Sequence, residues 1–373
     1  MIKITACADV HLGMKLYGKI DPITGLNTRE IQTLSILDDI IDYNLKNNIK
    51  LFVLAGDAYK NNMPSPTLQD EFNKRIKRAS DNGITCLILD GNHDVSKMNS
   101  TASALKQFDT LNVHNVIHTR FHKEYIYEQD GEKIKFVFLP TYHTKEEIED
   151  IVKNTKYTGE PIVYIGHMTL TGANLNDWLI ADKETYIDKS IFNREGVKAV
   201  ITGHLHKFQI LNSDPLIFYT GSTQTIDFNE ENQEKGFVVL TLDNDNIDYE
   251  FNKVNSQKFY TFKVDVAGNE LATDYVLSNL NTNKIKDSIV RVILNIDEDT
   301  KVNDKEIIDY INKYDPFCVL DIQKFYVNKK LVRNAELTEN LSVYKSLELY
   351  YDGKPRSKER IELGKKILGE LNI

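Results

Sequence analysis

Five short apolar runs in this chain each end by handing over to Asp, Asn or His. KITACADVH delivers Asp9 and His11, KLFVLAGD delivers Asp57, and ITCLILDGNHD delivers Asn92, His93 and Asp94. PIVYIGH delivers His167, and VKAVITGHLH delivers His204 and His206. Runs this short and this continuously apolar read as buried strands of a sheet covered on both faces. Between the first of them lie helical patterns. Ile31, Leu34, Leu37, Ile40, Ile41 and Leu45 share one helical face. TLQDEFNKRIKRASDNG predicts a helix capped by Thr67, with Asp70 three residues on and Gly83 at its end. Strand, helix, strand, helix, strand implies parallel pairing and an α/β sheet.

Beyond these runs, EYIYEQDGEKIKFVFLP predicts a hairpin turning at Asp130-Gly131. LIFYTGS, GFVVLTL and IDYEF extend β-rich structure to about residue 253. A smaller alternation follows: strand 259–266, helix 271–280, strand 289–296, helix 304–314 and strand 317–325. Two helical patterns close the chain, one through Leu337, Leu341, Tyr344 and Leu347, the other through Ile361, Leu363, Ile367, Leu368 and Leu371. The basic cluster KPRSKER lies between them. A length of 373 residues suits two or three domains. The expected division is 1–253, 254–330 and 331–373.

Composition excludes some functions. No apolar run reaches transmembrane length and no signal-like N-terminus is present, so a soluble, cytoplasmic chain with no membrane partner is expected. Cys7, Cys86 and Cys318 are far apart in apolar stretches and read as reduced core residues. The net charge of −9 argues against a broadly basic nucleic-acid surface. Bound divalent cations or a local groove would have to supply charge for a phosphate ligand.

Ligands in open α/β sheets gather at the carboxyl ends of the strands. Five of the nine histidines stand at such ends, mixed with carboxylate and amide oxygens and with no thiolate. That donor set suits Mn²⁺, Fe²⁺ or Zn²⁺. Singly, each residue has an ordinary explanation: Gly-Asp as a turn or cap, GNHD as a turn, His167 as a structural histidine. Jointly they point to a catalytic metal centre.

The ordered set D-x-H, G-D, G-N-H-D, G-H and G-H-x-H resembles the calcineurin-like metallophosphoesterases. YTGSTQTIDFNEENQEKGF, at 219–237, and the small domain after it are similar to the SbcD-type double-strand-break repair nucleases. The resemblance implies a metallophosphoesterase two-sheet α/β sandwich with a small α/β capping domain and a C-terminal helical tail. It implies two divalent ions, Mn²⁺ first, with Mg²⁺, Fe²⁺ or Zn²⁺ as alternatives, bridged by Asp57. Asp9, His11 and His206 complete one site; Asn92, His167 and His204 complete the other. His93 is expected beside the scissile phosphate, with Asp94 orienting its ring. The implied reaction is phosphodiester hydrolysis in DNA. The implied partners are an SbcC-like ABC-type ATPase, docked on the C-terminal helices, and a second copy of the chain. One departure stands out: many members carry His three residues after the bridging Asp, where this chain has Lys60, which can meet phosphate as a point charge. Two alternatives remain. A small-molecule metallophosphodiesterase has no use for a capping domain, and a non-catalytic DNA-end scaffold should lack a ligand, whereas none is missing.

Overall fold

The computed structural model describes residues 1–96, 101–174, 186–243, 246–326, 342–352 and 357–370. In chain order its first elements are β1 (Ile2–Cys7), α1 (Thr28–Lys46), β2 (Leu51–Ala55), α2 (Pro66–Asp81), β3 (Thr85–Leu89), α3 (Gln107–Thr110) and β4 (Val116–Thr119). The hairpin β5 (Lys123–Gln129) and β6 (Glu132–Phe138) follows, then α4 (Lys145–Asn154), β7 (Ile162–His167), β8 (Thr169–Leu170), β9 (Tyr186–Ile187) and β10 (Val197–Gly203). β11 (Gln209–Ser213), β12 (Leu216–Tyr219), β13 (Gly236–Asp243) and β14 (Asn246–Lys253) complete two six-stranded sheets.

One sheet runs β14-β13-β1-β2-β3-β4 and the other β11-β12-β10-β7-β6-β5. β1 through β4 are parallel, as are β6, β7, β10 and β12, while β13, β14, β11 and β5 join antiparallel. The continuous apolarity of the strands now has its reason. Phe52 and Leu54 face α1 and α2, in a core with Leu37, Ile40 and Phe72. Leu51, Val53 and Ala55 alternate with them and face the second sheet, among Phe136, Phe138, Ile165 and Ile201. Val137, Tyr164 and Val200 point out of the second sheet against Ile148 and Val152 of α4. The result is a two-sheet α/β sandwich with every layer buried on its inner side.

Local chemistry explains the boundaries. α1 starts at a capping box, in which Asn27 accepts from the Arg29 backbone and Glu30 answers to the Asn27 backbone. α2 starts earlier than the sequence suggests. Ser65, not Thr67, is the cap, accepting from Leu68 N at 3.3 Å, because Pro66 fits the first helical position without losing a hydrogen bond. Asp130 (φ 51°) and Gly131 (φ 83°) make the tight turn of the hairpin. Cys7 and Cys86 are buried, Cys318 half-buried, and all three are free.

The chain divides into two compact units: Met1–Thr261 with Asn281–Arg291 and Ile311–Leu320, and Phe262–Leu280 with Val292–Tyr310 and Asp321–Ile373. The remaining elements are β15 (Lys258–Asp265), α5 (Ala272–Asn279), β16 (Ser288–Ile296), α6 (Asp304–Asn312), β17 (Cys318–Val319), β18 (Gln323–Tyr326), α7 (Val343–Tyr351) and α8 (Ser357–Glu370). The strand expected over 317–325 is therefore two pieces. In the first unit, Ile289 and Val290 pair with β17; in the second, residues 293–296 pair with β18, and α7 packs on α8. Leu337, Leu341 and Leu371 of the tail patterns, and residues 354–356 of the basic cluster, lie outside the described residues. Among the described residues no helix is long and apolar enough to cross a membrane.

Candidate metal centre

The carboxyl ends of β1, β2 and β3 in one sheet and of β7 and β10 in the other meet at one place, where β2 lies against β7 and β10. The loops after β1 and β2 stay hydrogen-bonded beyond their strands: Asp9 N to Gly56 O and His11 N to Asp57 O, both 3.0 Å, and Lys60 N to Leu12 O at 2.9 Å. Asp9 (φ 51°), His11 (φ 48°), Asp57 (φ 54°) and His204 (φ 91°) all take left-handed backbone. Such conformations cost about 1–3 kcal/mol each in residues with a side chain, and they concentrate where a site dictates them. Glycine matters here for close approach. A Cβ on Gly91 would lie 2.0 Å from Asp57 Oδ1 and 2.2 Å from its backbone nitrogen, and one on Gly56 would lie 2.2 Å from His167 Nδ1.

These turns bring all the sequence-derived candidates together. His11 Nε2 faces His206 Nε2 at 3.0 Å and Asp57 Oδ2 at 3.7 Å. On the other side, His167 Nε2 lies 3.1 Å from Asn92 Oδ1 and 3.3 Å from Asp57 Oδ2, and His204 Nδ1 lies 3.2 Å from the same Asn92 oxygen. The His204 backbone N–H donates to Asp9, at 3.0 and 3.1 Å. His206 thus keeps company with His11, and His204 with Asn92 and His167, while Asp57 touches both groups. Asp9, His11, Asp57 and His167 are buried. Lys60, Asn92, His93, His204 and His206 are half-exposed and, with Asp57, line a cavity of about 310 Å³. A larger cavity, about 440 Å³, opens at the opposite strand ends around Ile2, Lys133 and Lys198, and no histidine reaches it.

His93 and Asp94 do not pair as the sequence suggests. The His93 backbone N–H donates to Asp57 Oδ1 at 2.9 Å, and its ring Nδ1 faces the Lys60 carbonyl at 3.0 Å. Asp94 is buried and accepts three backbone N–H groups: Tyr59 on Oδ1 at 2.8 Å, and Ala58 at 3.1 Å and Gly91 at 2.8 Å on Oδ2. Its acceptors are spent on tying the β2 loop to the β3 loop. The ring of His93 is oriented by a carbonyl instead, and it stands edge-on to His11 with centroids 4.9 Å apart.

The donor set fits divalent cations. Asp9, His11 and His206 each offer a ligand atom within 4.8 Å of the others, and so do Asp9, Asp57 and His167, and His11, Asp57 and His93. Burial opposes a charge on Asp57, but the neighbouring His167, His11 and His93 hold its carboxyl well below the usual range. Burial likewise opposes a charge on His167, yet Asp57 and Asp9 raise it to about 10. The buried carboxylates therefore attract positive charge strongly enough to draw a proton onto a buried imidazole. His167 Nδ1 is committed to the Ala55 carbonyl at 2.9 Å, which leaves Nε2 for the cluster. Burial pushes His11 well below its ordinary value, toward the neutral ring that ligates.

Sequence reasoning passed over Glu230 and Lys235, though both lie inside the 219–237 stretch. Glu230 Oε1 meets His206 Nδ1 at 2.6 Å, and Lys235 Nζ meets Glu230 Oε2 at 2.8 Å. Tyr142, which donates to the Asn92 carbonyl at 3.2 Å, was also unmarked. Glu230 and Lys235 follow no apolar strand, the signal that exposes the rest.

The family model described as calcineurin-like phosphoesterase matches residues 2–208, a span that contains all ten candidate residues. The chain is 25% identical over 263 residues to the uncharacterized metallophosphoesterase YhaO of Bacillus subtilis, covering 69% of this chain and 62% of that one. It is 22% identical over 318 residues to the DNA double-strand break repair protein Mre11 of Thermoplasma acidophilum, covering 83% and 80%. It is 22% identical over 273 residues to the SbcD subunit of the SbcCD nuclease of Escherichia coli strain K12, covering 65% and 66%. The chain thus spans less than two thirds of the length of the Bacillus relative and about two thirds of the Escherichia one.

Proposed function

The chain belongs to the calcineurin-like phosphoesterase family, hydrolases of phosphoesters that bind two divalent metals, and on that premise we propose that it is a two-metal DNA nuclease. The observation that carries the reading is the split of the histidines into two groups about Asp57, with His93 and Lys60 on the wall of the same cavity. Asp9, His11 and His206 would hold one ion, Asn92, His167 and His204 the other, and Asp57 both. Oxygen and imidazole donors without thiolate suit Mn²⁺, Fe²⁺ or Zn²⁺, and likeness to the nuclease relatives puts Mn²⁺ first. The bound pair supplies the positive charge that a phosphodiester's oxygens meet and the activation of the attacking water.

The chain's own residues do the rest. His93 has its Nδ1 committed to the Lys60 carbonyl, so Nε2 is the nitrogen left for the leaving oxygen, to which the ring would give a proton from its doubly protonated form. Lys60 offers a fixed positive charge to a non-bridging phosphate oxygen, in place of a histidine. Likeness to relatives named as a nuclease subunit and as a break-repair protein supports DNA as the substrate. In the same reading, residues 254–330 cap the DNA, and two copies pair through the phosphoesterase domain. Residues 331–373 dock an SbcC-like ABC-type ATPase in the cytoplasm. Val343, Tyr350, Leu363 and Ile367 on α7 and α8 are 50%, 49%, 60% and 46% exposed, apolar area that such docking would cover.

The test incubates the purified chain with Mn²⁺ and labelled linear duplex DNA, beside a His93→Ala variant. Cleavage by the parent, lost in the variant while metal content is retained, is the expected result. Hydrolysis of bis-p-nitrophenyl phosphate or cyclic nucleotides but never of DNA overturns the nuclease in favour of a small-molecule phosphodiesterase.

A further inference from the structure

Glu230 and Lys235 reach the centre from a loop rather than a strand end. The segment between β12 and β13 makes a short turn at Phe228–Glu230, capped by Asp227, which accepts from Asn229 N at 2.8 Å. This turn lowers Glu230 behind His206, where only 5% of it remains exposed. Both of its oxygens are in use. Oε1 meets His206 Nδ1 at 2.6 Å, and Oε2 accepts from Ile226 N at 3.0 Å and Lys235 Nζ at 2.8 Å. The Lys235 ammonium, fully buried, also donates to the His206 carbonyl at 3.0 Å, to Ser222 Oγ at 2.8 Å and to Gln233 Oε1 at 3.1 Å. Lys235 therefore holds the histidine at its backbone and, through Glu230, at its ring.

A buried ion pair is a poor source of stability, because taking both charges out of water costs about what their attraction returns. Its geometry here does something more specific. A carboxylate with no proton of its own can only accept, so the proton of the neutral ring lies on Nδ1. The lone pair of His206 is then on Nε2, the nitrogen that faces His11 Nε2 at 3.0 Å. Lys235 matches the charge of the carboxylate across 2.8 Å. We propose that Glu230, backed by Lys235, is a positioning residue that selects the ligating tautomer of His206 and aims its Nε2 at one of the two cations. The assignment rests on His206 being a ligand; it adds a residue pair that serves one ion and leaves the other untouched.

The test uses the full chain stripped of metal and titrated with Mn²⁺, with bound metal counted after dialysis. In parallel, ¹⁵N shifts of the His206 ring are read in the metal-free protein. The parent is expected to bind two ions and to show the proton on Nδ1. Glu230→Ala should lose about 10–100-fold in affinity for one ion and none for the other, with the His206 nitrogen shifts moving toward a tautomer mixture. Glu230→Gln keeps the volume and one acceptor, so it reads out the same loss in smaller degree should the alanine variant not fold. Full affinity for both ions in either folded variant, or a neutral parent His206 ring with its proton on Nε2, overturns the proposal. A parent that binds no ion overturns the metal centre itself, a result separate from any effect of Glu230.

Discussion

Replacing Asp94 by Asn separates two accounts of one residue. If Asp94 served the His93 ring, the change would lower turnover and leave the scaffold alone. The structure instead gives Asp94 three backbone N–H groups, from Ala58, Tyr59 and Gly91. In Asn an NH₂ replaces one of the two oxygens, so at least one N–H loses its acceptor and faces a donor. A hydrogen bond to a charged group contributes about 1.5–3 kcal/mol, and a buried donor left unpaired costs about 1–3 kcal/mol. Burial, and the nearby charges of Asp57 and Asp90, press Asp94 upward and offset part of that gain. The net loss expected is about 2–4 kcal/mol, which for a protein of this size lowers Tm by roughly 3–5 °C. Since Ala58 and Tyr59 directly follow Asp57, the slackened loop should also weaken metal binding. Thermal unfolding in chelator reads the first effect and metal stoichiometry the second. An Asp94→Asn protein that melts with the parent and keeps its metal, but turns over slowly, refutes the clamp and restores the link to His93.

Other consequences are nearly as direct. Gly91→Ala sets a Cβ 2.0 Å from Asp57 Oδ1, so the loop must move; overpacking of about 1–3 kcal/mol and a drop in bound Mn²⁺ are expected, read by denaturant midpoint and metal analysis. His118 is buried, with Nε2 3.0 Å from Asp90 and Nδ1 3.1 Å from Asp109. Burial opposes its protonation, but the two carboxylates raise its pKa above the ordinary value. A raised pKa stabilises the fold fully below about pH 6.5 and ceases to do so as pH climbs through the folded value. Urea midpoints of the parent should fall over that climb, and His118→Gln should flatten the slope. Saturating divalent metal at about 100 times its Kd should add about 2.7 kcal/mol per site to stability. A melting curve unmoved by chelator contradicts that.

What the sequence made legible has one physical source. Strands buried on both faces must be continuously apolar, so Asp9, Asp57, His167 and His204 stand out as the polar residues that close their runs, and Asn92 follows Asp90 and Gly91 at the end of the third. Their convergence needs no alignment, only the rule that ligands meet at strand ends. Asp94 departs from the role that the resemblance implies: one residue past His93, its carboxylate meets backbone N–H groups of two loops, a contact that position along the chain does not reveal. Glu230 and Lys235 were silent for another reason. Lying 24 and 29 residues from His206 in a loop of Asn, Gln and Glu, they look like solvated charge, and only the fold reveals them as buried. The cap of α2 turned on Pro66, whose fit at the first helical position outweighed the hydroxyl of Thr67.

The central claim is that His204 and His206, one residue apart, serve different ions with Asp57 between them. Anomalous diffraction from crystals grown with Mn²⁺ measures it directly. The account predicts two peaks, one bounded by Asp9, His11 and His206, the other by Asn92, His167 and His204, both touching Asp57. A single peak ligated by His204 and His206 together contradicts it.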